Sequence, residues 1–144
     1  LALSCDLVYA SSTSRFATPG VNIGLFCSTP MVALSRNASS KQSMEMLLTG
    51  DLISADEAAQ KGLINKSIPG EELENYLLEK AKKISSKSST TLKIGKKAFY
   101  RQIEMPLDQA YEYASQVMVE NMMDQDAKEG IEAFLEKRNP NWKK

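Results

Sequence analysis

LTGDLISADEAAQKGLINK, residues 48–66, carries the densest set of local structure signals in the chain. Ser54 and Glu57 have the S-x-x-E spacing of a capping box, which predicts the start of a short helix. Gly62 follows that helix and is predicted to end it. Gly50 is placed to take the left-handed backbone that closes a preceding helix. The segment therefore predicts two short helices separated by a defined turn.

Strand and helix signals alternate on the N-terminal side of this segment. LVYAS at 7–11 has the alternation and the aromatic and β-branched residues of a strand, and RFATP at 15–19 predicts a second extended run. Helices are predicted over 29–36, where Pro30 falls in the first turn, and over 40–48. This half of the chain is therefore predicted to mix strands and helices.

The C-terminal half is predicted to be an array of amphipathic helices. Apolar residues recur at helical spacing in EELENYLLEKAKKI at 71–84, around 92–103 and after Pro106. Asp126 with Glu129 is predicted to cap the last helix. The array contains no segment with the composition of a linker, so we predict one continuous fold.

An uncharged run, FATPGVNIGLFCSTPMVALS, occupies residues 16–35 and contains no Asp, Glu, Lys, Arg or His. Pro and Gly residues and several polar side chains interrupt it, so it does not predict a membrane span. We interpret it as buried backbone in a soluble fold. Gly20 and Gly24 let backbone approach a neighbour closely, which suits either ordinary core packing or the wall of a ligand pocket.

Charge and composition narrow the possible functions. Lys plus Arg and Asp plus Glu are equal at 18 each, so the chain lacks the positive field that nucleic-acid and anionic-membrane binders use. We expect neither partner. The absence of histidine excludes Ser-His and Cys-His nucleophile pairs and zinc sites built on imidazole. We predict no metal site, and any acid or base must be a carboxylate, Lys, Tyr or Cys.

The two cysteines bear on the redox environment of the chain, and its first six residues bear on whether part of the fold precedes them. Cys5 and Cys27 are too far apart for a metal-ligand pair and lie in apolar surroundings. We predict buried free thiols rather than a disulfide, and a reducing compartment. LALSCD at 1–6 has neither an initiator Met nor the basic start of a signal peptide. We expect the N-terminal half of the fold, and any targeting segment, to precede Leu1.

Four segments in order resemble one family: LALSCD, FATPGVNIGL, MEMLLTGDLISADEAAQKGLINK and GIEAFLEKRNPNW are together similar to the C-terminal half of crotonase-superfamily proteins, the enoyl-CoA hydratase/isomerase group. The resemblance implies an α/β fold, a spiral of ββα turns followed by a helical region. Residues 1–70 would form the end of the spiral core, and residues 71–144 the helical region for trimerisation and CoA contact. It also implies a homotrimer or hexamer. FATPGVNIGLFCSTP resembles a mitochondrial branch rather than the active hydratases, which implies a mitochondrial location.

The resemblance also implies a chemistry. The substrate would be an acyl-CoA or enoyl-CoA thioester, and no separate cofactor is expected because the substrate carries the CoA. Two backbone N–H groups would form an oxyanion hole that stabilises the thioester enolate. We expect both donors, and the first catalytic glutamate of active hydratases, upstream of Leu1. This chain alone is therefore expected not to turn over enoyl-CoA, and several of its helices are expected to expose apolar faces.

Gly20 departs from the family pattern. It follows Pro19 at the position where active hydratases carry their second carboxylate, and glycine cannot transfer a proton. The resemblance therefore implies that water addition by paired carboxylates is not available here. The residues implied to line the acyl end of the pocket are Phe16, Pro19, Gly20, Val21 and Phe26.

Phe134 and Lys137 match family positions that approach the CoA adenine and phosphates. Two functions follow from the resemblance: an enzyme that processes acyl-CoA thioesters, or a catalytically inert acyl-CoA-binding or assembly protein of the same fold. The replacement at Gly20 favours the second function. An unrelated helical domain with accidental matches is the third hypothesis, and it requires the four segments to coincide in order.

Overall fold

The computed structural model describes residues 1–143 and divides the chain into two units, Leu1–Glu79 and the helical part from Lys80 onward. The elements in chain order are a 3-10 turn (Ala2–Ser4), β1 (Tyr9–Ser11), β2 (Arg15–Phe16), a second 3-10 turn (Pro19–Ile23), α1 (Ser28–Asn37), α2 (Ser40–Thr49), β3 (Ile53–Ser54), α3 (Ala55–Gln60), β4 (Lys66–Ile68), α4 (Gly70–Ser85), α5 (Ser89–Gln102), α6 (Leu107–Met122) and α7 (Gln125–Leu135). This is the α/β mixture that the sequence predicts.

The local signals in residues 48–66 form as predicted. Ser54 Oγ accepts the backbone N–H of Glu57 at 3.1 Å, and the Glu57 carboxylate accepts the backbone N–H of Ser54 at 2.9 Å. This reciprocal box starts α3, and its donors lower the pKa of Glu57 below the ordinary value. Gly50 closes α2 in the left-handed region at φ 67°, where its N–H donates to the Met46 carbonyl.

Two short strand pairs build the first unit. β1 pairs with β4 in parallel, with Tyr9 opposite Lys66. β2 pairs with β3 in antiparallel register, with Phe16 opposite Ile53. The second pair brings the start of the uncharged run beside the segment that enters α3.

The core of the first unit lies where α1, α2 and α3 meet. Leu34 and Leu47 are its largest fully buried side chains, and Ala55 and Ala58 are completely buried. Alanines on the inner face of α3 allow close backbone approach. Phe16 and Cys27 are partly buried and pack against this cluster, so the uncharged run is attached to the core at both of these positions.

In the second unit α5, α6 and α7 pack against one another. The sequence predicts Asp126 as the cap of α7, and this prediction is wrong. The cap is Asp124, whose Oδ1 accepts the backbone N–H of Asp126 at 2.9 Å. Asp126 lies in the first turn, where it is buried and its Oδ2 accepts the hydroxyl of Ser88 at 2.6 Å. Ser88 is in turn the cap of α5 and accepts the N–H of Thr91.

Burial departs from prediction in the uncharged run and at the cysteines. Most of residues 16–35 is not buried: Ile23 is 77% and Leu25 63% exposed. Cys5 is exposed and Cys27 half-buried, although both are free thiols as predicted. Anchoring at a few positions leaves the remaining side chains of the run on the surface. The helices expose large apolar residues, as predicted. Within residues 1–143, every helix is too short or too polar to cross a membrane.

Candidate functional site

The first part of the candidate site is a loop that runs from Phe16 to Phe26. Phe16 is fixed by its strand pairing opposite Ile53. Thr18 is buried, and its hydroxyl donates to the Met46 carbonyl at 2.8 Å, which ties the loop to the last turn of α2. The 3-10 turn that follows is therefore held on the core by one strand pair and one buried hydrogen bond.

Gly20 lies in the tightest part of this loop. The Leu25 N–H donates to the Gly20 carbonyl at 2.9 Å, and the Gly20 N–H donates to Cys27 Sγ at 3.3 Å. A Cβ built at Gly20 would lie 2.6 Å from the Leu25 carbonyl oxygen and 2.7 Å from Cys27 Sγ. The first contact is with backbone, which cannot rotate away. The loop therefore has no room for a carboxylate side chain at this position in this conformation.

The other predicted acyl-end residues lie on the same loop. Phe16, Gly20 and Val21 are partly buried, whereas Pro19 and Phe26 are exposed, Phe26 to 43%. Gly24 ends the 3-10 turn in the left-handed region at φ 78° and returns the chain towards α1. The loop thus presents an apolar surface that has no ionisable group between Phe16 and Phe26.

The second part of the candidate site is the C-terminal end of α7. Phe134 is 81% exposed, and Lys137 is also exposed. Lys137 has a left-handed backbone at φ 55°. Its N–H donates to the Phe134 carbonyl at 3.2 Å, and the Arg138 N–H donates to the Ala133 carbonyl at 3.0 Å. This pair of bonds is the Schellman motif, in which glycine usually occupies the position that Lys137 fills.

The chain after Lys137 turns back along α7. The two NH nitrogens of Arg138 donate to the two carboxylate oxygens of Glu129 at 2.6 and 3.1 Å, and Arg138 Nε donates to Glu136 at 2.5 Å. The Asn141 backbone N–H adds a bond to Glu129 at 2.7 Å. Hydrogen bonds from Arg138, and to a lesser extent from the Asn141 N–H, lower the pKa of Glu129 from 4.5 to about 2. The carboxylates of Glu129 and Glu136 in turn raise the pKa of Arg138.

A groove in the second unit adjoins Phe134. It has a volume of about 520 Å³ and apolar walls that include Leu92, Ile131 and Phe134. Trp142 also lines it, and the indole Nε1–H donates to the Ser86 carbonyl at 2.7 Å. Sequence patterns did not single out Trp142 or Ser88. A lone tryptophan close to the C-terminus is the one signal that could have marked the first of them.

The family model for "Enoyl-CoA hydratase/isomerase" matches residues 1–144. The chain belongs to the enoyl-CoA hydratase/isomerase family. This confirms the resemblance that runs from LALSCD through GIEAFLEKRNPNW, and the hypothesis of an unrelated helical domain is excluded.

The members of the enoyl-CoA hydratase/isomerase family that are similar to this chain include curated proteins and proteins of known structure. Enoyl-CoA hydratase domain-containing protein 3, mitochondrial, from Mus musculus is 54% identical over 99% of this chain and 47% of its own length. The human enoyl Coenzyme A hydratase domain-containing protein 3 structure has a TM-score of 0.95 and 50% identity over 98% of this chain and 56% of that one. An enoyl-CoA hydratase from Mycobacterium smegmatis has a TM-score of 0.95 and 47% identity over 98% and 55%.

The chain spans about half the length of the curated family members it matches. Several of them carry "mitochondrial" in their names, in agreement with the location that the sequence predicts. Their domain-containing-protein-3 branch is the one that FATPGVNIGLFCSTP resembles. The structure places the residues predicted for the acyl end on one loop of the first unit, and Phe134 with Lys137 at one helix end of the second. Both sets of residues lie in the part of the chain that the family model matches.

Proposed function

We propose that this chain is part of a mitochondrial acyl-CoA thioester-processing protein that stabilises a thioester enolate with backbone N–H donors. The donors would lie outside residues 1–143, and the substrate would carry its own CoA, so no further cofactor is required. Phe16, Pro19, Gly20, Val21 and Phe26 of the Phe16–Phe26 loop would line the acyl end. Phe134 and Lys137 would contact the adenine and phosphates of CoA.

The observation that carries the proposal is the uncharged Phe16–Phe26 loop. Its backbone is anchored to the core through Thr18 and the strand pairing of Phe16, while Val21 and Phe26 present apolar surface. A wall of this kind suits an acyl chain, because transfer of apolar surface from water is favourable and no charged group has to be desolvated.

Assembly into a trimer or hexamer is part of the same proposal. On α6 the exposed apolar side chains include Leu107, Tyr111, Met118 and Met122, each more than half exposed. Exposed apolar surface of this extent is typical of protein interfaces, and flexible methionines adapt well to a partner surface. The state would be measured by light scattering on the complete gene product.

Catalytically inert acyl-CoA binding is the second candidate, and the geometry at Gly20 favours it. A carboxylate is absent there, and the Leu25 carbonyl leaves no room for one. Hydration through two carboxylates would then require a second acid from another segment. Chemistry that needs only enolate stabilisation and one base remains compatible with this loop.

Two measurements test the proposal, and both use the complete gene product with any residues that precede Leu1. Calorimetry measures the binding of crotonyl-CoA and of CoA, and the loss of absorbance of the conjugated thioester measures hydration. Phe26→Ser is expected to weaken crotonyl-CoA more than CoA, because it removes part of the acyl wall. Ile23→Ser is the matched control, since Ile23 is 77% exposed on the same loop and has no assigned contact.

The outcomes separate the candidates. Binding with turnover supports the enzyme and shows that an acid outside this loop suffices. Binding without turnover of this or other enoyl-CoA thioesters supports the inert binder. Absence of CoA-thioester binding refutes both.

A further inference from the structure

Lys137 has a backbone conformation that its residue type disfavours. A left-handed φ of 55° brings the Cβ of an L-residue close to its own carbonyl oxygen. Glycine at this position of the Schellman motif would avoid that contact. A lysine persists in such a conformation only when the surrounding structure holds the backbone there.

The segment from Arg138 to Lys143, here called the clamp, supplies the surrounding contacts. Arg138 makes a bidentate pair with Glu129, which lies two turns earlier on α7. The backbone N–H of Lys143 donates to Asp126 Oδ1 at 3.0 Å. Glu129 and Asp126 are three residues apart and therefore lie on one face of the helix. The clamp runs back along that face and holds the turn at Lys137 from its C-terminal side.

Trp142 fixes the far end of the clamp. Its Nε1–H donates to the Ser86 carbonyl at 2.7 Å. Its ring lies against Gly130, where an added Cβ would be 3.3 Å from the ring. A glycine inside a helix lowers helix stability relative to alanine, and here it leaves the space that the indole occupies. The clamp is thus held at Glu129, at Asp126 and at Ser86.

We propose that the clamp is a positioning device for Lys137, in which Glu129, Arg138 and Trp142 hold the left-handed turn that aims the lysine ammonium at the CoA phosphates. This inference rests on the proposed function, because it takes CoA as the ligand of Lys137. Glu129, Arg138 and Trp142 are positioning residues and are not assigned a contact with CoA.

The test compares two thioesters on the complete gene product: crotonyl-CoA, and S-crotonyl-pantetheine, which lacks the nucleotide and its phosphates. Glu129→Gln breaks the charged pair and Trp142→Phe removes the Ser86 bond while keeping a ring. Each variant is expected to lower the affinity for crotonyl-CoA about two- to fivefold, as for the loss of one exposed charge contact. The affinity for S-crotonyl-pantetheine is expected to stay unchanged. Glu45→Gln removes the exposed ion pair with Lys61 and is the matched control, expected to change neither affinity.

A double-mutant cycle distinguishes positioning from general damage. Lys137→Gly removes the ammonium and accepts the left-handed backbone, so Glu129→Gln added to it is expected to cause no further loss of crotonyl-CoA affinity. Additive losses in the cycle would overturn the inference. Equal weakening of both thioesters by Glu129→Gln would also overturn it, because the damage would then be general. Normal binding of crotonyl-CoA by the Glu129→Gln and Trp142→Phe variants would refute the clamp alone, whereas a parent protein that binds neither thioester would refute the proposed function itself.

Discussion

Replacement of Gly20 by alanine tests whether steric contacts require a glycine at this position of the Phe16–Phe26 loop. The added Cβ would lie 2.6 Å from the Leu25 carbonyl oxygen, about 0.8 Å inside ordinary contact. Overpacking of this kind costs about 1–3 kcal/mol, and the reduced entropy of the unfolded chain offsets ~0.4–1 kcal/mol. We therefore expect Gly20→Ala to lower the free energy of unfolding by about 1–2 kcal/mol.

Urea unfolding followed by far-ultraviolet circular dichroism measures this loss. Gly95→Ala is the control: Gly95 lies within α5, and an added Cβ there would meet open space, so this variant is expected to gain ~0.5–1 kcal/mol. The variant with both Gly20→Ala and Cys27→Ala removes the sulfur contact and keeps the backbone contact, so most of the loss should remain. A neutral Gly20→Ala, or full recovery in the double variant, would show that the Leu25 carbonyl does not exclude a side chain.

Three further predictions use the same unfolding assay. Thr18→Val should lower the free energy of unfolding by about 1 kcal/mol. The loss should be this small because the Met46 carbonyl also accepts the Gly50 N–H and so keeps a partner; a loss above ~3 kcal/mol would contradict this. Ser88→Ala should lose about 2–3 kcal/mol, since it removes both a helix cap and the hydroxyl bound to buried Asp126, and a change within ~0.5 kcal/mol would refute that assignment. The lowered pKa of Glu129 stabilises the folded state above about pH 4.5, and this contribution disappears as pH falls towards 2; Glu129→Gln should remove this part of the acid dependence, and an unchanged profile would contradict it.

Local backbone signals made much of the fold predictable. The box formed by Ser54 and Glu57 and the glycine at Gly50 both act within one helical turn, so sequence spacing alone contains the information. The cap of α7 shows the limit of this reasoning. Asp124 and Asp126 are both acceptable caps by type, and donors distant in sequence, the hydroxyl of Ser88 and the backbone N–H of Lys143, make Asp126 a buried acceptor instead.

The candidate site was less predictable because exposure depends on tertiary contacts. The uncharged run suggested burial throughout, yet it is anchored at a few positions, among them buried Thr18 and Leu34, and leaves Leu25 and Phe26 on the surface. The clamp was also invisible in the sequence. Its bonds join Trp142 to Ser86 across most of the second unit, and no periodic pattern records such a pairing.

Gly20 and Lys137 differ in opposite ways from the residue that would be expected at each position. At Gly20 the family resemblance implies a carboxylate in active hydratases, but the Leu25 carbonyl leaves room only for the hydrogen of glycine. At Lys137 the left-handed turn favours glycine, but a cation is present and costs about 1–3 kcal/mol of backbone strain. Strain that other contacts must hold is a reason to look for a role in the side chain. The loop therefore argues against a carboxylate side chain at position 20, and the helix end is the stronger support for the proposed contact with CoA.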